Sequence, residues 1–391
     1  MNELKNAMAE VRQNLIDFEQ KLVRTSSLTG HEEDAARLVL AEMQKLNFDE
    51  AKIDSYGNVM GRMGNGPKQI LFDAHLDTVD ALDADEWEHG PLSGDIVDGA
   101  IWGRGSVDTK SSAVAMVYAA YLMKKLGHLN GKSVYISTSI MEEDYDGELL
   151  DRAMQENDLL HPDFAVIGEP SNLKLARGHR GRAMYTITTN GVSAHGSAPE
   201  TGVNAVYKMQ ELIGRVDALN KKLQAPGGET GSVALTRIES RSASLNAVPD
   251  QCTIYLDRRL ALGETERIVA KEMDMLIAGT DATWKIYDAI GPSWTGKEVV
   301  LHTFLPAWEE PVESTLTQTG IQAYEEVMGK APELFKWNFA TNGFACAGRY
   351  QVPTIGLGPG DYILAHQKNE HCKLDDIINA SLFYAELVKK L

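Results

Sequence analysis

The chain reads as an α/β protein whose layered, mixed-sheet body is interrupted by a smaller inserted unit. Three observations carry this reading. Short strands alternate with amphipathic helices up to about residue 181. Between 182 and 292 the order changes to βαββαβ, the ferredoxin-like arrangement. After "IGPSWTG" the alternation returns and runs through 293–391. Alternating strands and helices indicate stacked α and β layers. A chain of 391 residues is too long for one ordinary core. The expected organisation is therefore a discontinuous domain, 1–181 with 293–391, carrying residues 182–292 as an insert.

In the first part, helical patterns cover about 4–25 and 31–46, followed by short strands near 51–56, 59–63 and 69–75. The last of these, with Ile70, Leu71 and Phe72, reads as buried. A helix follows Asp108, with Ala113, Met116, Val117, Ala120 and Tyr121 on one stripe. "SVYISTSI" (133–140) is a strand, 148–157 a helix and "DFAVIGE" (163–169) a strand. In the insert, "AMYTITTNG" is a strand and 203–223 a helix with Val206, Met209, Leu212 and Val216 on one side. "SVALTRIE" and "QCTIYLDRRL" are strands, 264–279 a helix and "TWKIYDA" the last strand. The final part has a helix near 313–329, a strand near 353–357 and a helix from about 374 to 390. "APGGETG" (225–231) is a glycine-rich loop without phosphate-loop spacing, and no role is assigned to it.

Composition narrows the partners. A net charge of −18 lacks the basic footprint that nucleic acid or an anionic membrane surface requires. Cys252, Cys346 and Cys372 are few, scattered and odd in number, which suits a reducing compartment. The opening "MNELKNAMAEVRQNLIDFEQ" is a charged amphipathic helix, not a signal peptide. The longest strongly apolar run, Ala113 to Met123, is eleven residues, too short to span a bilayer. A cytoplasmic protein is expected.

The chemistry collects at predicted strand ends. His75 and Asp77 close one buried strand, and residues two apart on an extended chain point to the same side. Asp108 follows in "GRGSVDTKSS", Glu142 and Glu143 in "SIMEEDYDGE", and Glu169 in "VIGEPS". His366 comes after the turn "GLGPG", in "AHQKNE". Taken singly, each stretch is more often a turn or a solvated acidic loop. Taken in order, they sit where open α/β sheets bind ligands. Several carboxylates meeting at one spot repel one another unless cations hold them or protons neutralise them. Imidazole among carboxylates favours a metal of zinc type. More ligands than one ion needs, with a shared acid, suggests two metals about 3.5–4 Å apart. Asp77 is placed to accept the free ring N–H of His75 and fix its tautomer.

With these residues in order, the chain resembles the M20 metallopeptidase family over nearly its whole length. That group includes succinyl-diaminopimelate desuccinylase, acetylornithine deacetylase, aminoacylase 1 and glutamate carboxypeptidase. The motifs are "AHLDTV", "GRGSVDTK", "EED", "GEPS" and "AHQKNE". "GHRGR" and "HGSAPETG" look closest to an uncharacterised subgroup of peptidases and deacylases. The resemblance implies that His75 and Glu169 bind one zinc, that Glu143 and His366 bind the other, and that Asp108 bridges them. It implies Glu142 as general base on the bridging water, Asp77 as the residue orienting His75, and a cis Asp108–Thr109 peptide. Where the family has glycines after Asp-x-Lys, this chain has Ser111 and Ser112.

The same resemblance makes 182–292 a lid and dimerisation domain. "GVSAHGSAPETGVNAV" matches the lid motif, so His195 would reach the neighbouring subunit's site and stabilise the oxyanion. "NAVPDQCTIYLDRR" makes Asn246 and Arg259 candidates for gripping a substrate carboxylate. "FATNGFACAG" points to Asn342 and Gly343 for the same task. Arg258, one step along the strand from Arg259, faces the other way and reads as structural. The implied activity is dinuclear zinc-dependent hydrolysis of an N-acyl amino acid or short peptide with a free carboxylate, by a homodimer. Cobalt or manganese are possible substitutes. The alternatives are hydrolysis of another C–N bond, such as an N-carbamoyl amide, and a non-catalytic metal-binding homologue.

Overall fold

The strand Lys68–His75 is the centre around which the rest is arranged. It pairs in parallel with Lys132–Ser139 on one side and Phe164–Ile167 on the other. Ile70, Leu71 and Phe72 are fully buried because a layer of helices covers one face of this sheet and the helix Glu148–Glu156 with the helical segment Phe344–Arg349 covers the other. The computed structural model describes residues 1–225 and 231–391, so residues 226–230 of the glycine-rich loop lie outside the described residues. The main sheet is mixed. Its order is 50–53, 59–64, 132–139, 68–75, 164–167, 354–356, 175–179 and 308–309, with 334–337 added beside 175–179.

Among the described residues, five helices build the sheet's core face: Asn2–Arg24, Glu33–Lys45, Lys110–Lys125, Thr315–Met328 and Leu374–Lys390. Lys110–Lys125 runs between Asn2–Arg24 and Leu374–Lys390 and is buried on nearly every side. The sequence predicts an apolar stripe there. The helix is apolar all round instead, as a central helix must be, and Tyr121 lies at its partly open margin.

The insert builds a separate antiparallel sheet in the order 232–241, 251–260, 181–190, 283–286. Helices Ala205–Leu223 and Glu266–Ile277 pack on one face around Met209, Leu212, Ile254, Leu256 and Met273. The order of strands and helices is the βαββαβ pattern expected. "TWKIYDA" is shorter than expected: its strand ends at Ile286, and Asp288–Pro292 begins a hairpin with Glu298–His302. Strands Asp95–Val97, Ala100–Trp102, Leu175–His179, Leu334–Trp337 and His371–Lys373 were not legible in the sequence; most have only three or four residues.

Cys252, Cys346 and Cys372 are buried free thiols. Among the described residues, no helix is long and apolar enough to cross a membrane.

Candidate metal centre

The acids and histidines meet at one edge of the main sheet. His75 ends the central strand, Glu142 and Glu143 follow Lys132–Ser139, and Glu169 follows Phe164–Ile167. Asp108 precedes the central helix across a cis Asp108–Thr109 peptide. His366 arrives on a loop, in a left-handed conformation with φ 60°.

Asp108 lies between two groups. Its Oδ1 is 3.0 Å from His75 Nε2 and its Oδ2 is 3.3 Å from His366 Nε2. His366 Nε2 is also 3.0 Å from Glu143 Oε2. On the other side His75 Nε2 is 3.8 Å from Glu142 Oε2 and 3.9 Å from Glu169 Oε1. Within each trio, His75–Glu142–Glu169 and Asp108–Glu143–His366, one ligand atom per residue lies within 4.8 Å of the others.

Without bound cations, the centre favours protons on its acids and imidazoles. Burial and the neighbouring Glu169 push the Glu142 carboxyl well above its ordinary range. Burial does the same for Glu169, and Asp108 and Glu143 add to it. Burial alone would pull the His75 imidazole down, but its hydrogen bonds to carboxylates push it well up. The His366 imidazole is raised to about 10 by Asp108 and Glu143. Among the described residues, no Lys or Arg forms an ion pair with Asp108, Glu142, Glu143 or Glu169. Four buried or nearly buried carboxylates with only two imidazoles among them fit a pair of divalent ions.

Asp77 has a different job from the one expected. The nearest acceptor for His75 Nδ1 is the backbone carbonyl of Asp77, at 3.0 Å; its carboxylate is 3.5 Å away. That carboxylate instead accepts the N–H of Glu142 at 2.8 Å, the N–H of Glu143 at 3.1 Å and the hydroxyl of Thr29 at 2.9 Å. The preceding N–H, of left-handed Met141, donates to buried Glu32 at 3.1 Å. Three successive amides are thus fixed by two carboxylates, which sets where Glu142 and Glu143 point. Glu370 does the same for Asp108. It accepts the N–H of Val107 at 2.8 Å and of Asp108 at 3.1 Å, and pairs with buried Arg104 at 2.7 Å. Neither glutamate was singled out from the sequence, although Glu370 closes the "AHQKNE" motif.

A pocket of about 330 Å³ opens over this centre, lined by Asp108, Glu142, Glu143, Glu169 and His366, with Arg259 in its wall. It also contains Asp146 and Arg182, which sequence reasoning missed. A larger cleft of about 480 Å³ lies between the two sheets beside His179 and Trp308, away from the acids. Arg258 points the other way, fully buried against Glu264 and Glu272.

Two expectations are corrected. Asn342 does not face the pocket: it is 1% exposed, and its amide donates to Asp73 at 2.6 Å and to Ser139 at 2.9 Å. Gly343 faces Trp308, where a Cβ would come within 2.7 Å of the indole. Asn342 thus ties its loop to the strands Lys68–His75 and Lys132–Ser139. His195 and Asn246 are exposed on neighbouring loops of the insert, linked through the His195–Ala247 bridge, and neither lines the pocket of their own chain.

A mixed α/β body with two trios of candidate metal ligands at its sheet edge is the arrangement of a metal-dependent hydrolase. Residues 71–390 match the profile of peptidase family M20/M25/M40, and the chain belongs to that family. Its members act on C–N bonds, and this chain is such an enzyme. It is 34% identical to uncharacterized protein YgeY of Escherichia coli (strain K12) over 95% of this chain and 92% of that one. It is 27% identical to acetylornithine deacetylase of Edwardsiella ictaluri, covering 85% and 82% of the two chains. Among solved structures, the M20 family metallo-carboxypeptidase Sso-CP2 from Sulfolobus solfataricus superposes with a TM-score of 0.73. The identity there is 19%, over 96% of this chain and 98% of that one.

Proposed function

We propose that the chain is a dinuclear zinc-dependent amidohydrolase acting on an N-acyl amino acid or short peptide with a free carboxylate. The observation that carries this is Asp108, whose two oxygens face His75 on one side and His366 on the other. His75 with Glu169, and His366 with Glu143, would hold the ions; bound zinc supplies Lewis-acid polarisation and lowers the pKa of water. Glu142, whose Oε2 is 3.8 Å from His75 Nε2, would take a proton from the attacking water and pass it to the leaving amine. Arg259, whose Nε–Nη2 edge is held by Asp257, would offer its remaining Nη donors to the substrate carboxylate. Residues 182–292 serve as lid and dimerisation domain. His195 and Asn246, idle in their own subunit, complete the partner's site, His195 by donating to the oxyanion.

The test is amine release from N-acetyl, N-succinyl and N-carbamoyl amino acids and dipeptides, with zinc and with chelator. Chelator-sensitive release from acyl substrates is the expected result. Release from carbamoyl substrates alone would replace the acyl assignment. No release from any of them, with two ions bound, would favour a binding role. Mixing His195→Ala with Glu142→Ala subunits should restore part of the activity, and hybrids without activity would remove the cross-subunit role.

A further inference from the structure

The pocket wall opposite the ligand trios carries two arginines. Arg182 opens the strand Gly181–Asn190, and Arg259 lies directly across from it on Gln251–Leu260. Residues opposite each other in an antiparallel pair project from the same face, with Cβ atoms about 4.5–5.5 Å apart. Asp257, two residues before Arg259, shares that face. It takes the Arg259 fork, with Nε 2.8 Å from Oδ1 and Nη2 3.1 Å from Oδ2. It also lies 3.3 Å from Arg182 Nε.

Arg182 is poorly satisfied in this arrangement. Its Nη1 makes one 3.3 Å hydrogen bond to Asp146, and its Nη2 donates to the thioether of Met184 at 3.2 Å. Its Nε, buried from solvent, has no hydrogen-bond acceptor. A guanidinium offers five donors in a rigid fork, and carboxylate is the anion that matches it. Asp257 neutralises one of the two arginines through a two-point contact. The other meets Asp146 and Asp257 only at 3.3 Å, gives one donor to a sulfur, and keeps an Nε without a hydrogen-bond acceptor in the wall of the pocket.

We infer that Arg182 is a specificity-determining residue that reads a second carboxylate on the substrate. This rests on the amidohydrolase reading and deepens it. Because Arg182 and Arg259 are cross-strand neighbours, the two carboxylates they take belong to the same half of the substrate, one or two methylenes apart. The substrate class is therefore an N-acyl derivative of an acidic amino acid, or a dipeptide ending in one. An entering side-chain carboxylate replaces the contacts to Asp146 and Met184 with a charge-assisted fork. Hydrogen bonds to charged groups of this kind correspond to about tenfold to a hundredfold in affinity.

Two measurements on the zinc-loaded enzyme test this. The first compares kcat/KM for N-acetyl-L-glutamate and N-acetyl-L-alanine in the native chain, Arg182→Met and Arg182→Lys. The native chain should prefer the glutamate derivative by at least tenfold. Arg182→Met should erase that preference, mainly through KM, and Arg182→Lys should restore part of it. An equal loss on both substrates would show that Arg182 and Arg259 clamp a single carboxylate, and would overturn the inference. The second is calorimetric binding of L-glutamate against L-alanine, which needs no turnover. Tighter glutamate binding that disappears in Arg182→Met supports the inference even if no amide is cleaved, an outcome that would sink only the amidohydrolase reading. Equal binding of the two amino acids by the native chain would overturn the inference itself.

Discussion

Asp77→Asn separates two accounts of the residue beside His75. If Asp77 acted only by fixing the imidazole, asparagine would be a mild change, since a carbonyl oxygen still accepts from a ring N–H. The structure gives it another load. Its two oxygens hold the N–H groups of Glu142 and Glu143 and the Thr29 hydroxyl, all within 3.1 Å. An Asn side chain supplies one oxygen and presents an NH2 where the other stood, so at least one backbone N–H faces a donor. A buried donor left without its acceptor costs about 1–3 kcal/mol. The turn must rotate to relieve this, and Glu142 and Glu143 move with it. A displacement of about 1 Å at a reacting group costs on the order of 10²-fold in rate. We expect kcat for an N-acetyl amino acid to fall about 10²-fold in Asp77→Asn, while metal analysis at saturating zinc still finds both ions. Glu32→Gln should move kcat in the same direction by less, because its oxygen can still accept from Met141. The reasoning fails if Asp77→Asn keeps kcat within twofold, or if its only effect is loss of the ion beside His75.

Other predictions follow from the same geometry. Chelation should lower the apparent Tm as well as stop turnover, since ions present at 100 times their Kd stabilise by about 2.7 kcal/mol; an unchanged melting curve after confirmed metal removal would argue against ions in the buried cluster. His179, buried against Thr341 and the Pro306 carbonyl, has its imidazole pulled down to about 3 by burial. The unfolded chain therefore binds a proton that the folded chain refuses between about pH 6.5 and 3. The His179 contribution is fully present above 6.5 and declines as pH falls through that window, with a slope of up to about 1.4 kcal/mol per pH unit. His179→Gln should flatten that part of the denaturation profile. Arg258→Met strands Glu264 and Glu272 beside a buried apolar side chain, and should destabilise the inserted unit by about 3 kcal/mol in urea titrations.

How much of this was legible in the sequence depends on distance along the chain. The final helix and the strand 251–260 have the bounds the pattern predicts, because long periodic runs declare themselves. The six residues of the paired trios were legible because each lies within a short motif, His75, Glu142, Glu143 and Glu169 just at or after a strand end, Asp108 before a helix and His366 on a loop. What failed was direction. Asn342 belongs to a motif that looks like a substrate loop, yet its amide is spent on Asp73, and nothing local announces that a carboxylate 269 residues away will claim it. A glutamate in a polar stretch reads as solvated; only the fold shows that Glu32 and Glu370 are fully buried and bonded to the amides beside the candidate ligands. Arg182 was read as a boundary marker, since its meaning comes from the cross-strand position of Arg259.

That cross-strand pair belongs to the insert's sheet, while His75, Glu142, Glu143 and Glu169 belong to the edge of the main sheet. The two sheets are joined close by. The chain passes from one to the other at Arg180, between the strands Leu175–His179 and Gly181–Asn190, and returns at Pro306, between Phe304–Leu305 and Trp308–Glu309. The span from the arginines to the trios is therefore a gauge whose two jaws are mounted on different bodies. A rotation of a few degrees at these joints changes which amide bond in a bound molecule falls over Asp108. On the amidohydrolase reading, substitutions at Arg180, Pro306 or Ala307 would alter which length of substrate is cut without changing any residue of the trios or either arginine.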